Sequence, residues 1–331
     1  MTALFRKRSA AILNPHNECC LADVGNIAWR YGCDGMCFGT IRRVLMRAPS
    51  LLTRGSPKGR ANPRRHAVLM LLALTLALIG SKVHAERVVV GGTGGGVGIA
   101  KLLAAGFAQH ASGIEVEVLP SLGSSGGIRA LTAGDVQLAI SGRPLKPKEQ
   151  AQGIELVEFA RTPFVFVLSQ DNVVDAISLP ALIEMYAGRN THWPDGEKIR
   201  VVLRLRSDSD TALLRGVSPP MGAALALADE RPGMQYAITD QNNLDMIEAI
   251  PGALGATTLG QLLAEGRHLK ALTLDGVAPN VNTLKEGRYP LSKSLYLGIG
   301  PASTEATHKF VEFISSTDGQ SILERHGYWV P

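Results

Sequence analysis

The chain is predicted to adopt an α/β fold, a mixed, mostly parallel sheet flanked by helices, and two observations carry that prediction. From Arg87 onward, short apolar runs of strand length alternate with amphipathic stretches of helix length. The turns between them are rich in glycine and serine and fall at the ends of the strand-like runs. A strand–helix–strand order of this kind calls for parallel pairing, with the helices packed on the sheet. The 331 residues leave room for two such domains, and no low-complexity tract or long linker separates them.

In order, RVVVGG reads as a buried strand and VGIAKLLAAGFAQHA as an amphipathic helix. IEVEVLPS is a second strand, with Glu115 and Glu117 facing away from Ile114, Val116 and Val118. GGIRALTAG is a helix and VQLAISG a third strand. TPFVFVLSQDN is a strand, dense in β-branched and aromatic residues. SLPALIEMYAG is a helix with Ser178 as its N-cap and Pro180 in its first turn. IRVVLRLRS is a strand, DSDTALLRGV opens another helix, and residues 218–235 are helical. NNLDMIEAIPG, ALGATTL, LKALTLDGV and YPLSKSLYLGIG add further α/β elements before a closing helix in THKFVEFISSTDGQSILERHG.

The formal net charge of +5 invites a nucleic-acid reading, and its distribution removes it. Thirteen of the 34 Lys and Arg but only three of the 29 Asp and Glu lie in residues 1–85, so the remainder carries a net charge of −5. No Arg-rich helix or basic patch is left there to hold nucleic acid. Residues 64–85 combine Arg64-Arg65-His66, the apolar run AVLMLLALTLALIG, and the small-x-small ending Val83-His84-Ala85. This is the pattern of a secretory signal peptide, cleaved after Ala85. The alternative is a membrane anchor, but the run falls short of the ~20 residues a spanning helix needs. Residues 1–63 are read as a non-native or poorly ordered extension, with Met46 or Met70 as more ordinary starts. Cys19, Cys20, Cys33 and Cys37 all lie upstream of the cleavage site, so the exported part has neither a disulfide nor a thiolate metal site.

Three loops share one chemical character: Gly91 to Gly96, Leu122 to Gly127, and Ser141-Gly142-Arg143-Pro144. Each follows a strand, and the first two run straight into helices. Glycine lets a ligand approach the backbone, and a helix N-terminus presents unpaired N–H groups and a positive dipole end. Ser124, Ser125 and Ser141 add hydroxyl donors. In a parallel sheet such loops open on one edge, where ligands bind, and together they describe an oxyanion pocket. Taken singly, each loop is equally a turn with its cap. A fourth segment, Arg206-Ser207-Asp208-Ser209-Asp210-Thr211, also lies at a strand-to-helix junction. Arg206 offers a planar fork, and Ser209 and Thr211 offer hydroxyls. The competing reading is a solvated arginine beside an aspartate that caps the helix.

At this point VVVGGTGGGVGIAKLLAAGF, SLGSSGGIRALTAGDVQLAISGRPLKPKE, IRVVLRLRSDSDT, PGALGATTL and LTLDGVAPNVNTLKEGRYPLSKSLYL, in order, resemble the phosphate-binding proteins of ABC importers. The resemblance spans essentially Glu86 to Pro331. It implies a two-domain periplasmic binding protein of type II (the Venus-flytrap fold), with residues 86–165 and 271–331 in domain one, residues 166–270 in domain two, and hinge strands near PFVFVLSQ and SKSLYLGIG. It further implies a monomer that captures inorganic phosphate or a related oxyanion in the periplasm for an ABC permease, without catalysis or cofactor. Ligand contacts are implied for Gly95, Gly96, Ser124, Ser125, Gly126, Ser141, Arg206, Ser209 and Thr211.

The sequence departs from that family in two loops. The fourth loop usually reads Ser-Gly-Thr and here reads Ser209-Asp210-Thr211; the third usually has an Asp after its serine and here has Gly142. A carboxylate in such a pocket accepts the proton that phosphate still carries near neutral pH, and it repels a fully ionised anion. Three readings of Asp210 follow: it supplies that acceptor from the other domain, it marks a pocket for a different ligand, or it turns outward as a cap. Arg143 either adds charge to the anion site or pairs with a surface carboxylate. A dinucleotide-dependent oxidoreductase is disfavoured because the first loop lacks G-x-G-x-x-G spacing, and no hydrolase motif is present. A ligand sensor that reports to a partner protein remains compatible with the same fold.

Overall fold

The computed structural model describes residues 85–331; the signal peptide and cleavage site predicted from the sequence, and the four cysteines, lie outside or at the edge of them. The described chain opens with β1 (Glu86–Gly92), a 3-10 turn (Gly94–Gly96), α1 (Val97–Phe107), β2 (Ile114–Val118), α2 (Gly123–Ala133), β3 (Leu138–Ser141) and α3 (Pro147–Gln150). β4 (Leu156–Ser169), β5 (Ala176–Ile177), α4 (Leu179–Ala187), β6 (Arg200–Arg204), α5 (Ser209–Val217), α6 (Pro219–Glu230), β7 (Gln235–Ala237) and α7 (Asp240–Ala249) follow. The remainder is β8 (Ala253–Thr258), α8 (Leu259–Ala264), β9 (Leu269–Ala271), β10 (Thr273–Leu274), α9 (Val281–Lys285), β11 (Ser292–Ile299), α10 (Glu305–Ser315) and α11 (Thr317–Arg325). Ser178 caps α4 as its sequence predicts, accepting from the Ala181 amide at 3.3 Å.

Eight strands lie in the order β2-β1-β3-β11-β4-β8-β6-β7, with β9 added on β4. The outer strands pair in parallel, β1 with β2 and β3, and β6 with β7 and β8. β11 and β4 are antiparallel to their neighbours and form the junction. At 14 residues, β4 is long enough to serve both halves: Leu156–Pro163 pair with β11 and Phe164–Val167 with β8.

Two main apolar cores lie on either side of that junction. In one, Ile99, Leu103 and Phe107 of α1 meet Phe310, Phe313 and Ile314 of α10, with the Phe107 and Phe310 rings tilted against each other at 5.2 Å. The other gathers Phe164, Phe166, Tyr186, Val202, Leu214, Leu244 and Leu254. Burying side chains of this size contributes about 1.5–3 kcal/mol each before conformational entropy is charged against it. Residues 271–291, expected in domain one, instead pack with this second core. β9 and β10 pair with β4 and β5, Leu272 and Leu274 are buried there, and the Tyr289 hydroxyl donates to the Phe164 carbonyl at 3.1 Å. The chain therefore changes core at Pro163/Phe164 and again at Leu291/Ser292.

Candidate functional site

The parallel strands of each half end facing the junction, so their loops converge between the two cores. β1 ends at Gly92, and the buried Thr93 leads into the 3-10 turn and α1. Gly95 and Gly96 are buried in that turn. From α2 the Ser124 hydroxyl accepts from the Gly142 amide at 3.0 Å, tying the second loop to the third. Ser141 is fully buried at the end of β3 and donates to the Arg143 carbonyl at 2.6 Å. Ser125 and Gly126 sit on the first turn of α2 and are half-buried. Gly95, Gly96, Ser124 and Ser141 are thus gathered on one side of the cleft.

The Arg143 guanidinium is occupied by a carboxylate and a hydroxyl. It grips both Glu149 oxygens at 2.8 Å and donates to the Ser125 hydroxyl at 2.8 Å. That hydrogen bond from Arg143 is the main reason the Glu149 carboxyl is held down to about 2; burial opposes it and is outweighed. Of the two expectations for Arg143, pairing with a carboxylate is the one realised.

Across the cleft the fourth segment folds differently from expectation. The sequence predicts a strand through Ser207, but β6 stops at Arg204 and the chain turns, with the Asp208 amide donating to the Leu205 carbonyl at 2.9 Å. Arg206 sits on that turn, its side chain 66 % exposed and paired with Asp229 at 2.9 Å. Asp208 is the helix cap, accepting from the Asp210 amide at 2.8 Å. The cap is thus Asp208, Arg206 is exposed but ion-paired, and Asp210 is buried and not turned outward as a cap. Ser209 is half-buried at the start of α5, and Thr211 is buried and donates to the Arg204 carbonyl at 3.2 Å.

The buried arginine is Arg204, which pairs with Asp208 at 2.7 Å and lies 3.6 Å from Asp240. Its Nε is buried without a hydrogen-bond partner among the described residues. Asp240, the first residue of α7, lies against Gly94 and Gly95 of the opposite half. Burial raises its pKa, Lys293 pulls it down, and the neighbouring Asp210 adds to the rise. Beside it the Gln241 side chain donates to the Gly94 carbonyl at 2.9 Å, a second contact between the halves.

Lys293 completes the group. Its side chain is 4 % exposed, and its ammonium is ion-paired with Asp210, also 4 % exposed, from the other side of the cleft. Burial alone would lower the Lys293 pKa, but Asp210 and Asp240 outweigh it and hold the ammonium charged. Gly142 makes room for this side chain: a Cβ there would lie 2.7 Å from Lys293 Cε. The position where the family carries an acid after the serine is thus filled by a lysine stem from β11. Among the described residues, no cluster of His, Cys, Asp or Glu is arranged to hold a metal ion.

Arg204, Asp240 and Lys293 were missed by sequence reasoning, and two of them had left a signal. Lys293 is in phase with Leu295 and Leu297, the buried face of its strand, and Arg204 is in phase with Val202. A charged residue on the apolar face of a strand must meet a partner inside. Asp240 looks like any acid in the first turn of a helix and carries no separate signal.

Comparison with known proteins agrees with this geometry. A PBP superfamily domain matches residues 80–318. The phosphate-binding protein PstS of Borreliella burgdorferi is 24% identical over 216 residues, 62% of this chain and 76% of that one. PstS of Bacillus subtilis strain 168 is 26% identical over 212 residues, 62% of this chain and 68% of its own. Among solved structures, a putative phosphate ABC transporter substrate-binding protein from Clostridium perfringens, with bound phosphate, shares the fold. It aligns with a TM-score of 0.63 at 20% identity over 74% of this chain and all of that one. With two α/β halves joined by β4 and β11 and buried polar contacts between them, this chain belongs to the PBP superfamily.

Proposed function

We propose that this protein captures inorganic phosphate in the cleft between its two halves and delivers it to the permease of an ABC importer. The observation that carries the reading is the convergence of the Gly94–Gly96 turn, the α2 N-terminus, the hydroxyls of Ser124 and Ser141, and two buried cations on one cleft. Helix N-termini favour an anion by about 0.3–1 kcal/mol each, and hydrogen bonds to a charged group add about 1.5–3 kcal/mol. The relatives named PstS and the solved neighbour holding phosphate support phosphate as that anion.

In this reading Gly95, Gly96, Ser124, Ser125, Gly126 and Ser141 meet the ligand from one lobe, residues 85–163 with 292–331. Ser209 and Thr211 meet it from the other, residues 164–291, and Arg204 takes the part first assigned to Arg206. The lobes close about the two strand crossings, and the closed form is what the permease reads. The task is capture in the periplasm after export by the signal peptide, performed by a monomer without catalysis or cofactor. Among the described residues no helix is long and apolar enough to cross a membrane.

Discrimination follows from the carboxylates. Asp208, Asp210 and Asp240 surround the cations. Phosphate brings a proton that one of them can accept, whereas sulfate brings none and leaves a carboxylate facing an anion. An unmet polar contact of that kind costs about 1–3 kcal/mol, roughly 5- to 150-fold in affinity. Calorimetric titration of the purified protein with phosphate, sulfate, molybdate and tungstate near pH 7 is expected to give tight binding of phosphate and sulfate weaker by that factor. Absence of phosphate binding, or equal affinity for sulfate, would overturn the reading.

A further inference from the structure

Lys293 and Asp210 stand 83 positions apart in sequence and approach the cleft from opposite cores. Lys293 belongs to β11 at the point where the chain leaves the second core, pairing with Thr162. Its stem crosses Gly142, and the Cβ position of Gly142 is 3.2 Å from the ammonium nitrogen and 3.5 Å from the Thr93 hydroxyl. The ammonium therefore lies where the first and third loops meet, among the groups that face a captured anion. Asp210 reaches it from α5, where Asp208 already performs the cap. Asp210 is not needed to start its helix.

An ammonium buried this deeply has to be met by an anion, because an uncompensated buried charge is strongly destabilising. The same requirement is satisfied by a carboxylate of the protein or by an oxyanion from solution. Arg204 is engaged by Asp208 and approached by Asp240, so Lys293 is the cation whose partner comes from across the cleft.

We propose that Asp210 is a built-in competitor for the ligand: its carboxylate stands in for the anion on Lys293, and phosphate binds by replacing it. Lys293 is then a ligand-binding residue, and Asp210 sets the affinity by holding the place the ligand must take. This rests on the phosphate reading above and selects between the two readings of Asp210 that remain, since an acceptor for the phosphate proton would strengthen binding where a competitor weakens it.

The variant that separates these is Asp210→Asn, which keeps the shape and removes the charge. Calorimetric titration with inorganic phosphate near pH 7 is expected to give at least tenfold tighter binding than the unaltered protein. Equal or weaker binding by Asp210→Asn, with the unaltered protein binding phosphate, overturns the competitor and leaves phosphate capture standing. Binding by Asp210→Asn alone supports the competitor and overturns phosphate capture by the natural chain. No binding by either overturns both. Should Asp210→Asn fail to fold, Asp210→Gly, which also removes the charge and keeps Lys293, carries the test with the same outcomes. The double variant Lys293→Met/Asp210→Asn is expected to bind no phosphate, and affinity equal to that of the unaltered protein contradicts the assignment of Lys293.

Discussion

Lys293→Met is expected to abolish phosphate binding and to lower stability by about 3–5 kcal/mol, the usual cost of removing one partner from a buried ion pair. The methionine fills nearly the same volume over Gly142, so the loss is one of charge rather than packing. Asp210 and Asp240, both buried, are left without the ammonium that Asp210 pairs with and that draws the Asp240 pKa down. Denaturant unfolding at pH 7 reads the stability and calorimetry reads the binding. A loss under about 1 kcal/mol, the range of exposed pairs, would mean that water reaches the pair. Adding Asp210→Asn is expected to recover part of the stability without recovering binding, because it removes the orphaned carboxylate but supplies no cation.

Gly92→Ala is expected to cost about 4 kcal/mol and to disable the cleft. Gly92 has φ +141, a backbone conformation that L-residues rarely adopt, and a Cβ there would overlap the Ile140 carbonyl, with the Ile140 amide nitrogen 2.8 Å away. Strain of that kind costs about 1–3 kcal/mol, and the overpacking adds about 1–3 kcal/mol. Neither neighbour can yield cheaply, since Gly92 is paired with Ile140 in the sheet and Gly127 of α2 packs directly on Gly92. Any shift of β1 against β3 moves Thr93, Ser124 and Ser141 together. A thermal scan and a phosphate titration check this; near-normal stability with near-normal affinity would contradict the close packing of these three elements.

The first half of the candidate site was legible in the sequence because its chemistry is local. Gly95, Gly96, Ser124 and Ser141 lie at strand ends or in the turns and helix starts that follow strands, and strand order alone brings such positions to one edge. The second half was less legible because it depends on where a strand stops. Alternation in VVLRLR puts Arg204 and Arg206 on one face for as long as the strand lasts, and the turn at Leu205 removes Arg206 from that face. The lobe boundary at 271–291 failed for a related reason, since short strands such as β9 and β10 are assigned to a lobe by their pairing and not by their own pattern. The substitutions at 142 and 210 were visible as departures from a family, but their connection was not. Only the fold brings Lys293 over Gly142 and against Asp210.

The most direct test of phosphate capture between the lobes is a crystal structure of the protein grown with millimolar phosphate and without sulfate. The account predicts one tetrahedral anion between the two cores, within hydrogen-bonding distance of Lys293 Nζ and the hydroxyls of Ser124 and Ser141, with Asp210 withdrawn from the ammonium. An empty cleft that retains the Lys293–Asp210 pair, in crystals containing phosphate, would contradict it.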